Sequence, residues 1–245
     1  MSQNPAYCRA NFCCPEVKEL RPFDLQPTEK DLYWDLISRK IYPGITTILK
    51  ATWVRNNRKI SRKKIYCSKV ETDWTARNNQ EVGIGFHERM EQRLTGGLVD
   101  EHSDLIKSLV CSVERAGIFD RLNFNKVIER FIPWDGNGYY PYVTRLDWFG
   151  LMDNEPTVIE WTWSAERLTK LPQLYDKPLQ VTAQVKACRD FFALEVKRAV
   201  IVVAHPFGEA TTFTIEYDRL KQCWTYELLP RLRQFYEGLG FPDAK

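Results

Sequence analysis

The segment RLDWFGLMDNEPTVIEWTWS, residues 145–164, contains two apolar runs separated by the dipeptide Asp153-Asn154. Each run is rich in β-branched and aromatic residues, a composition that predicts two strands. Asp-Asn suits the tight turn of a hairpin because both residue types tolerate positive φ. If these two residues form the turn, Asp147 on the first strand lies opposite Glu160 on the second.

That pairing would bring two carboxylates together in an otherwise apolar hairpin. Residues opposite each other on neighbouring strands have Cβ atoms about 4.5–5.5 Å apart, and like charges at that distance destabilise the sheet. A hard divalent cation such as Mg²⁺ removes the conflict because it takes oxygen ligands. The alternative is a salt-bridged patch in which Arg145 neutralises one acid. Glu129, in the preceding apolar segment, could add a third carboxylate.

Strand alternation also assigns faces within the hairpin. Arg145 should share a face with Asp147. Trp161 and Trp163 should lie in the core, on the face opposite Glu160.

The rest of the chain predicts an alternation of helices and strands around this hairpin. The order helix, three consecutive strands, helix, strand favours an α/β or α+β fold with one mixed sheet flanked by helices. Helical patterns cover residues 28–40, 71–94, 101–116, 177–193 and 218–238, and strand patterns cover 124–132, 139–152, 156–163, 197–205 and 210–217.

The chain length and these patterns predict one domain after an irregular leader. Residues 1–27 are rich in Pro and Cys and form the predicted leader. Within the domain, 28–245, we expect a helical N-terminal part over 28–116, a sheet core over 124–217 and a C-terminal helix over 218–238.

The composition describes a globular protein without a strong global charge. Hydrophobic residues make up 44% and charged residues 27% of the 245 residues, and the formal net charge is +3. A nucleic-acid surface would therefore be a local patch. RNNRKISRKK, residues 55–64, is either such a phosphate-binding patch or a solvated surface. Its six basic residues are Arg55, Arg58, Lys59, Arg62, Lys63 and Lys64.

The sequence favours an intracellular, by default cytoplasmic, location and no membrane partner. No apolar stretch reaches the roughly 18 residues that span a bilayer. The N-terminus lacks the apolar core of a signal peptide and the Arg-rich, acid-free pattern of a transit peptide. The odd number of cysteines, seven, favours free thiols. Cys8, Cys13 and Cys14 could ligate a metal, although they form no CxxC pair.

Three further residues have both a structural and a functional interpretation. His87, in the helical segment GIGFHERMEQRL (83–94), is either a packed helical histidine or a ligand. Gln180 and Gln184 share one face near the start of the predicted helix 177–193, where glutamines are usually solvated.

Together these segments resemble the PD-(D/E)xK nuclease superfamily, specifically its RecB-type exonuclease branch and the exonucleases of mitochondrial genome maintenance within it. The similarity covers roughly residues 41–237. The segments that carry it follow the family's order: YPGITTILKATW, GFHERME, VIERF, RLDWFG, VIEWTWS, DKPLQVTAQ and AVIVVAH.

The resemblance implies a divalent-metal-dependent DNA nuclease, an exonuclease acting on single-stranded or end-bearing DNA in repair, replication or recombination. Asp147 and Glu160 would be the principal Mg²⁺ or Mn²⁺ ligands. His87 would support a metal or the scissile phosphate. Glu129 would assist from the first strand, and Gln180 would be the family's helix glutamine near the active centre and DNA.

Thr162 departs from the family pattern because it stands where the catalytic lysine belongs. Loss of one preorganised charge contact costs about 10²–10³ in rate. Arg145 has the best geometric case for replacing that cation, since it is expected on the Asp147 face; the other candidates are Lys170, Lys177 and Lys186. Without a replacement, the chain would be a degenerate homologue that binds DNA with little or no cleavage. Gln184 also departs, since an aromatic residue often stands there.

Aromatic side chains could contribute stacking surfaces for unpaired bases. Trp53, Trp74 and Tyr140 are the candidates, and core packing is the alternative for each.

Overall fold

A five-stranded sheet forms the centre of the computed structural model, which describes residues 25–27, 32–35, 40–56, 69–97, 103–136 and 140–239. The strands Glu155–Trp163 and Arg198–Ala204 are parallel, and the other neighbouring strands of this sheet are antiparallel. Their spatial order is β4 (Leu122–Trp134), β5 (Tyr142–Met152), β6 (Glu155–Trp163), β7 (Arg198–Ala204) and β8 (Thr211–Glu216).

Helices cover both faces of this sheet, which confirms the predicted α/β class of a mixed sheet flanked by helices. The crossover from β6 to parallel β7 contains α4, as parallel connections require. The helices are α1 (Ile45–Asn56), α2 (Lys69–Thr95), α3 (Asp104–Arg115), α4 (Lys177–Phe192), α5 (Tyr217–Gln222) and α6 (Leu229–Leu239). The helices predicted over 71–94, 101–116 and 177–193 are confirmed.

Each face of the sheet has its own apolar core layer. The α4 layer joins the sheet to α1, α4 and α6 and includes Leu49, Val181 and Leu232. The α2 layer joins the other face to α2 and α3 and includes Phe86 and Trp161. In α3, apolar residues at helical spacing are buried after Ser103, whose hydroxyl caps the helix.

The hairpin predicted from Asp153-Asn154 is confirmed. Both turn residues have positive φ, 54° and 66°, as a type I′ turn requires. The strand pairs run from Met152↔Glu155 outward, in the register that places Asp147 and Glu160 opposite each other. Arg121 fixes the turn through a 2.7 Å ion pair with Asp153.

The helix predicted over 28–40 is wrong. Residues Leu32–Asp35 form strand β2, which pairs with β3 (Lys40–Pro43) and with β1 (Leu25–Pro27). The ring centroid of Tyr33 lies 4.9 Å from that of Phe131 in β4. Strand pairing and this contact override a local helical pattern. The part expected to be helical therefore contains strands, and so does the end of the predicted leader.

The C-terminal helix predicted over 218–238 is present but interrupted. A π-helical turn over Cys223–Leu228 separates α5 from α6. Pro230 lies two residues after the end of this turn and has no amide hydrogen, so it cannot complete a regular α-helical ladder. A widened turn before the proline accommodates the missing bond.

Several predictions fall on residues outside the described ranges. Cys8, Cys13, Cys14 and most of the basic segment 55–64 lie there, and of Arg55 only the helical backbone is described. Among the described cysteines, the free thiols are Cys111, Cys188 and Cys223. Within the described helices, none is both long enough and apolar enough to cross a bilayer.

Candidate active site

Three buried carboxylates form one row across β4, β5 and β6. The β4–β5 register leaves Glu129 opposite Asp147. The β5–β6 pairs end at Trp148↔Ile159, so Asp147 and Glu160 are the next opposing residues. The three acidic side chains are only 2%, 4% and 2% exposed. We call this set the carboxylate row.

β4 and β5 exchange their buried faces at the carboxylate row. Val127 and Ile132 are five residues apart yet pack into the same α4 layer, and so do Leu146 and Phe149, three residues apart. Regular alternation would place each pair on opposite faces. Glu129, with φ 46°, lies at the irregular position in β4. The row therefore occupies a local break in the sheet.

The Asp147 carboxylate is held by the backbone at this break. Its Oδ2 accepts a 2.8 Å hydrogen bond from the amide of Trp161. That side-chain bond satisfies a buried amide where the β5–β6 pairs have ended. Its Oδ1 lies 3.7 Å from His87 Nδ1 and faces the remaining acids.

Each carboxylate has a basic neighbour. His87, on α2, makes a 2.9 Å hydrogen bond from Nδ1 to Glu129 Oε1. Arg145 Nη2 lies 2.6 Å from Glu129 Oε2, an ion pair without hydrogen-bond alignment. Lys177, the first residue of α4, donates a hydrogen bond from Nζ to Glu160 Oε1. These basic groups offset the repulsion within the row.

Gln184, rather than Gln180, lies at hydrogen-bond distance from the row. Its Nε2 donates to Glu160 Oε2 at 2.6 Å and to the Arg145 carbonyl at 2.9 Å. Gln180 is half-buried, and its role near the site stays a prediction. Lys177 and Gln184 are seven residues apart, so two turns of α4 direct both towards Glu160.

The electric field of the row changes the pKa values of its neighbours. Burial alone would lower the pKa of His87, but the charges of Asp147, Glu129 and Glu160 raise it from 6.5 to about 9. Burial, followed by repulsion from Glu160, raises the pKa of Asp147 well above its ordinary value. Burial opposes the charge of Lys177, yet Glu160 and Asp147 outweigh it and raise the pKa of the ammonium group.

The donor atoms fit a divalent cation. His87 Nδ1 and carboxylate oxygens of Glu129 and Asp147 all lie within 4.8 Å of one another. The two carboxylates supply the oxygen ligands that Mn²⁺ and Mg²⁺ prefer, whereas the imidazole is a donor that transition metals take more readily than Mg²⁺ does. Glu160 is in the same row, but its two carboxylate oxygens accept hydrogen bonds from Lys177 and Gln184. Of the predicted ligands, His87 and Asp147 are therefore grouped here with Glu129.

Two adjoining cavities give access to this region. The first, of about 470 Å³, is lined by His87, Arg145 and Lys177, among others. The second, of about 680 Å³, extends along the loop between β6 and α4. Both are lined by Thr162, Trp163 and Lys177. Their combined size suits a polymer segment as well as a small molecule.

The aromatic predictions have mixed outcomes. Trp161 is fully buried in the α2 layer, as predicted. Trp163 packs against the α2 layer, but it is half-buried and lines both cavities, so it lies at the edge of the core. Tyr140 packs on Tyr236 with ring centroids 5.5 Å apart. The side chains of the other two stacking candidates lie outside the described residues.

The contacts of Lys177 and Gln184 with Glu160 were not predicted from the sequence. The available signal was their spacing of seven residues, which places them on one helical face. We predicted that Arg145 was the better replacement cation, and the structure instead places it against Glu129.

Comparison with known proteins does not assign the chain to a family. No family model matches the chain, and no curated protein matches it. Among solved structures, the chain is similar to the crystal structure of a "Putative exonuclease" from Eubacterium rectale, with a TM-score of 0.44 and 9% sequence identity. The similarity covers 64% of this chain and 68% of that chain.

Proposed function

We propose that the protein is a divalent-metal-dependent DNA nuclease of the PD-(D/E)xK type, an exonuclease of single-stranded or end-bearing DNA. The observation that carries this proposal is the carboxylate row of Glu129, Asp147 and Glu160, with His87 at one end and Lys177 at the other. Mg²⁺ or Mn²⁺ is the proposed cofactor.

The burial of the row supports a functional role rather than a structural one. Three carboxylates removed from water destabilise a fold unless specific partners compensate for their lost hydration. Apolar residues at the same positions would fill the sheet without that cost. Clustered acids beside a cavity, among them Asp147 with its raised pKa, are typical of catalytic sites.

The side chains are suited to the hydrolysis of a phosphodiester. A bound divalent ion would supply a Lewis acid and lower the pKa of water. Asp147, Glu129 and His87 would hold that ion. Lys177 would place its positive charge beside the phosphate, and Gln184 would orient Glu160 through its 2.6 Å hydrogen bond.

In this proposal, Lys177 supplies the positive charge that is missing because position 162 is threonine rather than lysine. In the family pattern the lysine follows the second acid by two residues on the same strand, and here that position is threonine. The ammonium group of Lys177 contacts Glu160 from α4 and lines the same cavity as Thr162. The cation is thus supplied by the neighbouring element.

A cleavage assay on end-labelled single- and double-stranded DNA with Mg²⁺ or Mn²⁺ tests the proposal. Asp147→Asn and Glu160→Gln should each lower the rate at least about 10²-fold, since each removes a charge of the site. Glu155→Gln is the matched control, because Glu155 belongs to the same hairpin but lies at its exposed turn. Wild-type rates in both site variants would overturn the proposal.

The second candidate function is DNA binding without cleavage, and the observation that favours it is Thr162. It predicts salt-sensitive DNA affinity and no hydrolysis with either metal. Charge reversal at the basic residues of 55–64 should then weaken binding without changing thermal stability. Cleavage that depends on Asp147 would exclude this alternative.

A further inference from the structure

Tyr175 presents its ring to solvent at the edge of the candidate active site. Its side chain is 77% exposed and lines the 680 Å³ cavity. We propose that Tyr175 is a stacking platform for an unpaired base of single-stranded DNA, next to the reacting phosphate. This inference rests on the proposed function and specifies how its substrate is bound.

The backbone at Tyr175 has a conformation that normally calls for glycine. Tyr175 has φ 49° and ψ −113°, and Asp176 has φ −85° and ψ −1°. These angles are those of the two central residues of a type II′ turn, in which glycine is favoured at the first position. An aromatic residue at that position strains the backbone, and such strain persists where the surrounding contacts hold it in place, often at functional sites.

The loop that carries Tyr175 is anchored on both sides of the ring. Leu174 is 6% exposed and packs into the α4 layer. Asp176 accepts a 2.8 Å hydrogen bond from Arg231. Gln173 Oε1 accepts hydrogen bonds from the backbone amides of Thr169 and Lys170, at 2.9 and 2.8 Å. With its neighbours fixed, the Tyr175 ring is held away from the core.

The ring also lies close to the proposed chemistry. Tyr175 is two residues before Lys177, so their Cα atoms are at most about 7 Å apart. The adjoining 470 Å³ cavity is lined by Ile84, which is 52% exposed and lies about one helical turn before His87. Each of the two cavities that share Lys177 thus has an exposed apolar side chain in its lining.

The lining of the 680 Å³ cavity beside Tyr175 can contact phosphate groups. It contains two lysines, Lys170 and Lys177, and one acid, Glu166. Lysine contacts a phosphate without reading sequence.

A single strand fits this surface better than a duplex. Bases in a duplex are covered by their neighbours, whereas an unpaired base offers its face to an aromatic ring. Stacking is independent of sequence because every base has such a face. The site should therefore bind single-stranded DNA of any sequence and should contribute little to the binding of blunt duplexes.

Binding of a fluorescein-labelled 12-nucleotide single strand, measured by anisotropy in EDTA, tests the inference without cleavage. Tyr175→Ala should weaken binding about tenfold, whereas Tyr175→Phe should stay within about twofold because it keeps the ring. Tyr226→Ala is the matched control, since Tyr226 is also 77% exposed but lies in the π-helical turn. A 2-aminopurine base in the strand should be quenched by the wild type and not by Tyr175→Ala.

A glycine variant separates binding from folding. Tyr175→Gly should raise the melting temperature or leave it unchanged, since glycine suits the turn, while it weakens single-strand binding as Tyr175→Ala does. Unchanged binding in both variants, or equal loss for a blunt duplex, would overturn the inference. Asp147-dependent cleavage together with that result would leave the proposed function standing. Conversely, Tyr175-dependent binding without any cleavage would refute the proposed function alone.

Discussion

Lys177 and Thr162 line the same cavity from different elements, and our proposal assigns the positive charge of the site to Lys177. The ammonium group reaches Glu160 from the first residue of α4, and the threonine on β6 lines the same cavity. The two residues are fifteen positions apart in the chain.

This arrangement predicts a rescue at the residue scale. Lys177→Met should lower metal-dependent cleavage about 10²–10³-fold, because a preorganised positive charge is lost. Adding Thr162→Lys to that variant should restore much of the rate, since lysine then returns on β6. The comparison requires initial rates on one labelled single strand for the wild type, both single variants and the double variant. A Lys177→Met enzyme with the wild-type rate would show that the cation is supplied elsewhere.

Asp147 should be destabilising in the metal-free protein. Burial and the charge of Glu160 raise its pKa, so the folded state disfavours the ionised carboxylate more than the unfolded state does. Asp147→Asn keeps an oxygen that can accept the hydrogen bond from the Trp161 amide. It should therefore raise the melting temperature in EDTA by at least about 2 °C. Asp153→Asn should not, because a hydrogen bond from Arg121 lowers the pKa of Asp153. Differential scanning fluorimetry checks both, and a lower melting temperature for Asp147→Asn would contradict the prediction.

At the scale of the element, the approach of β4 to β5 depends on Gly150. A Cβ atom there would lie 1.9 Å from the Phe124 carbonyl oxygen and 2.7 Å from Trp148 Cζ2. The β4–β5 register shifts beside this contact. The bulged strand therefore passes directly over the glycine.

Gly150→Ala should consequently lower the free energy of unfolding by about 3 kcal/mol or more, since backbone must move. Gly238→Ala in α6 is the control, because nothing lies within 4 Å of its added Cβ and alanine favours a helix. Urea unfolding of the two variants measures the contrast. Equal stabilities would mean that β4 can shift away from β5 at little cost.

The same elements show what the sequence could and could not predict. The Asp153-Asn154 turn is local, so its chemistry was sufficient to derive the hairpin and the opposition of Asp147 to Glu160. The exchange of faces at Glu129 depends on a positive φ that no periodic pattern encodes. Strand β2 was missed for a similar reason, because its pairing partners decide its conformation.

At the scale of the whole molecule, the fold does not need a metal to neutralise the carboxylate row. His87, Arg145 and Lys177 already compensate the three acids. EDTA should therefore abolish cleavage while leaving the far-ultraviolet circular dichroism spectrum unchanged. Mn²⁺ at 100 times its dissociation constant should then add about 2.7 kcal/mol of stability. Loss of helical signal in EDTA would instead indicate a structural metal, and Asp147→Asn should lose the Mn²⁺ response.

An ion that arrives at His87 must compete with a proton already resident there. Since the pKa of that imidazole is about 9, capture of Mn²⁺ near neutrality should expel hydrogen ions into the medium. Calorimetric heats of uptake should accordingly vary with the ionisation enthalpy of the buffer, and affinity should climb as the solution becomes more alkaline towards pH 9. Heats independent of the buffer would mean that the imidazole keeps its proton throughout.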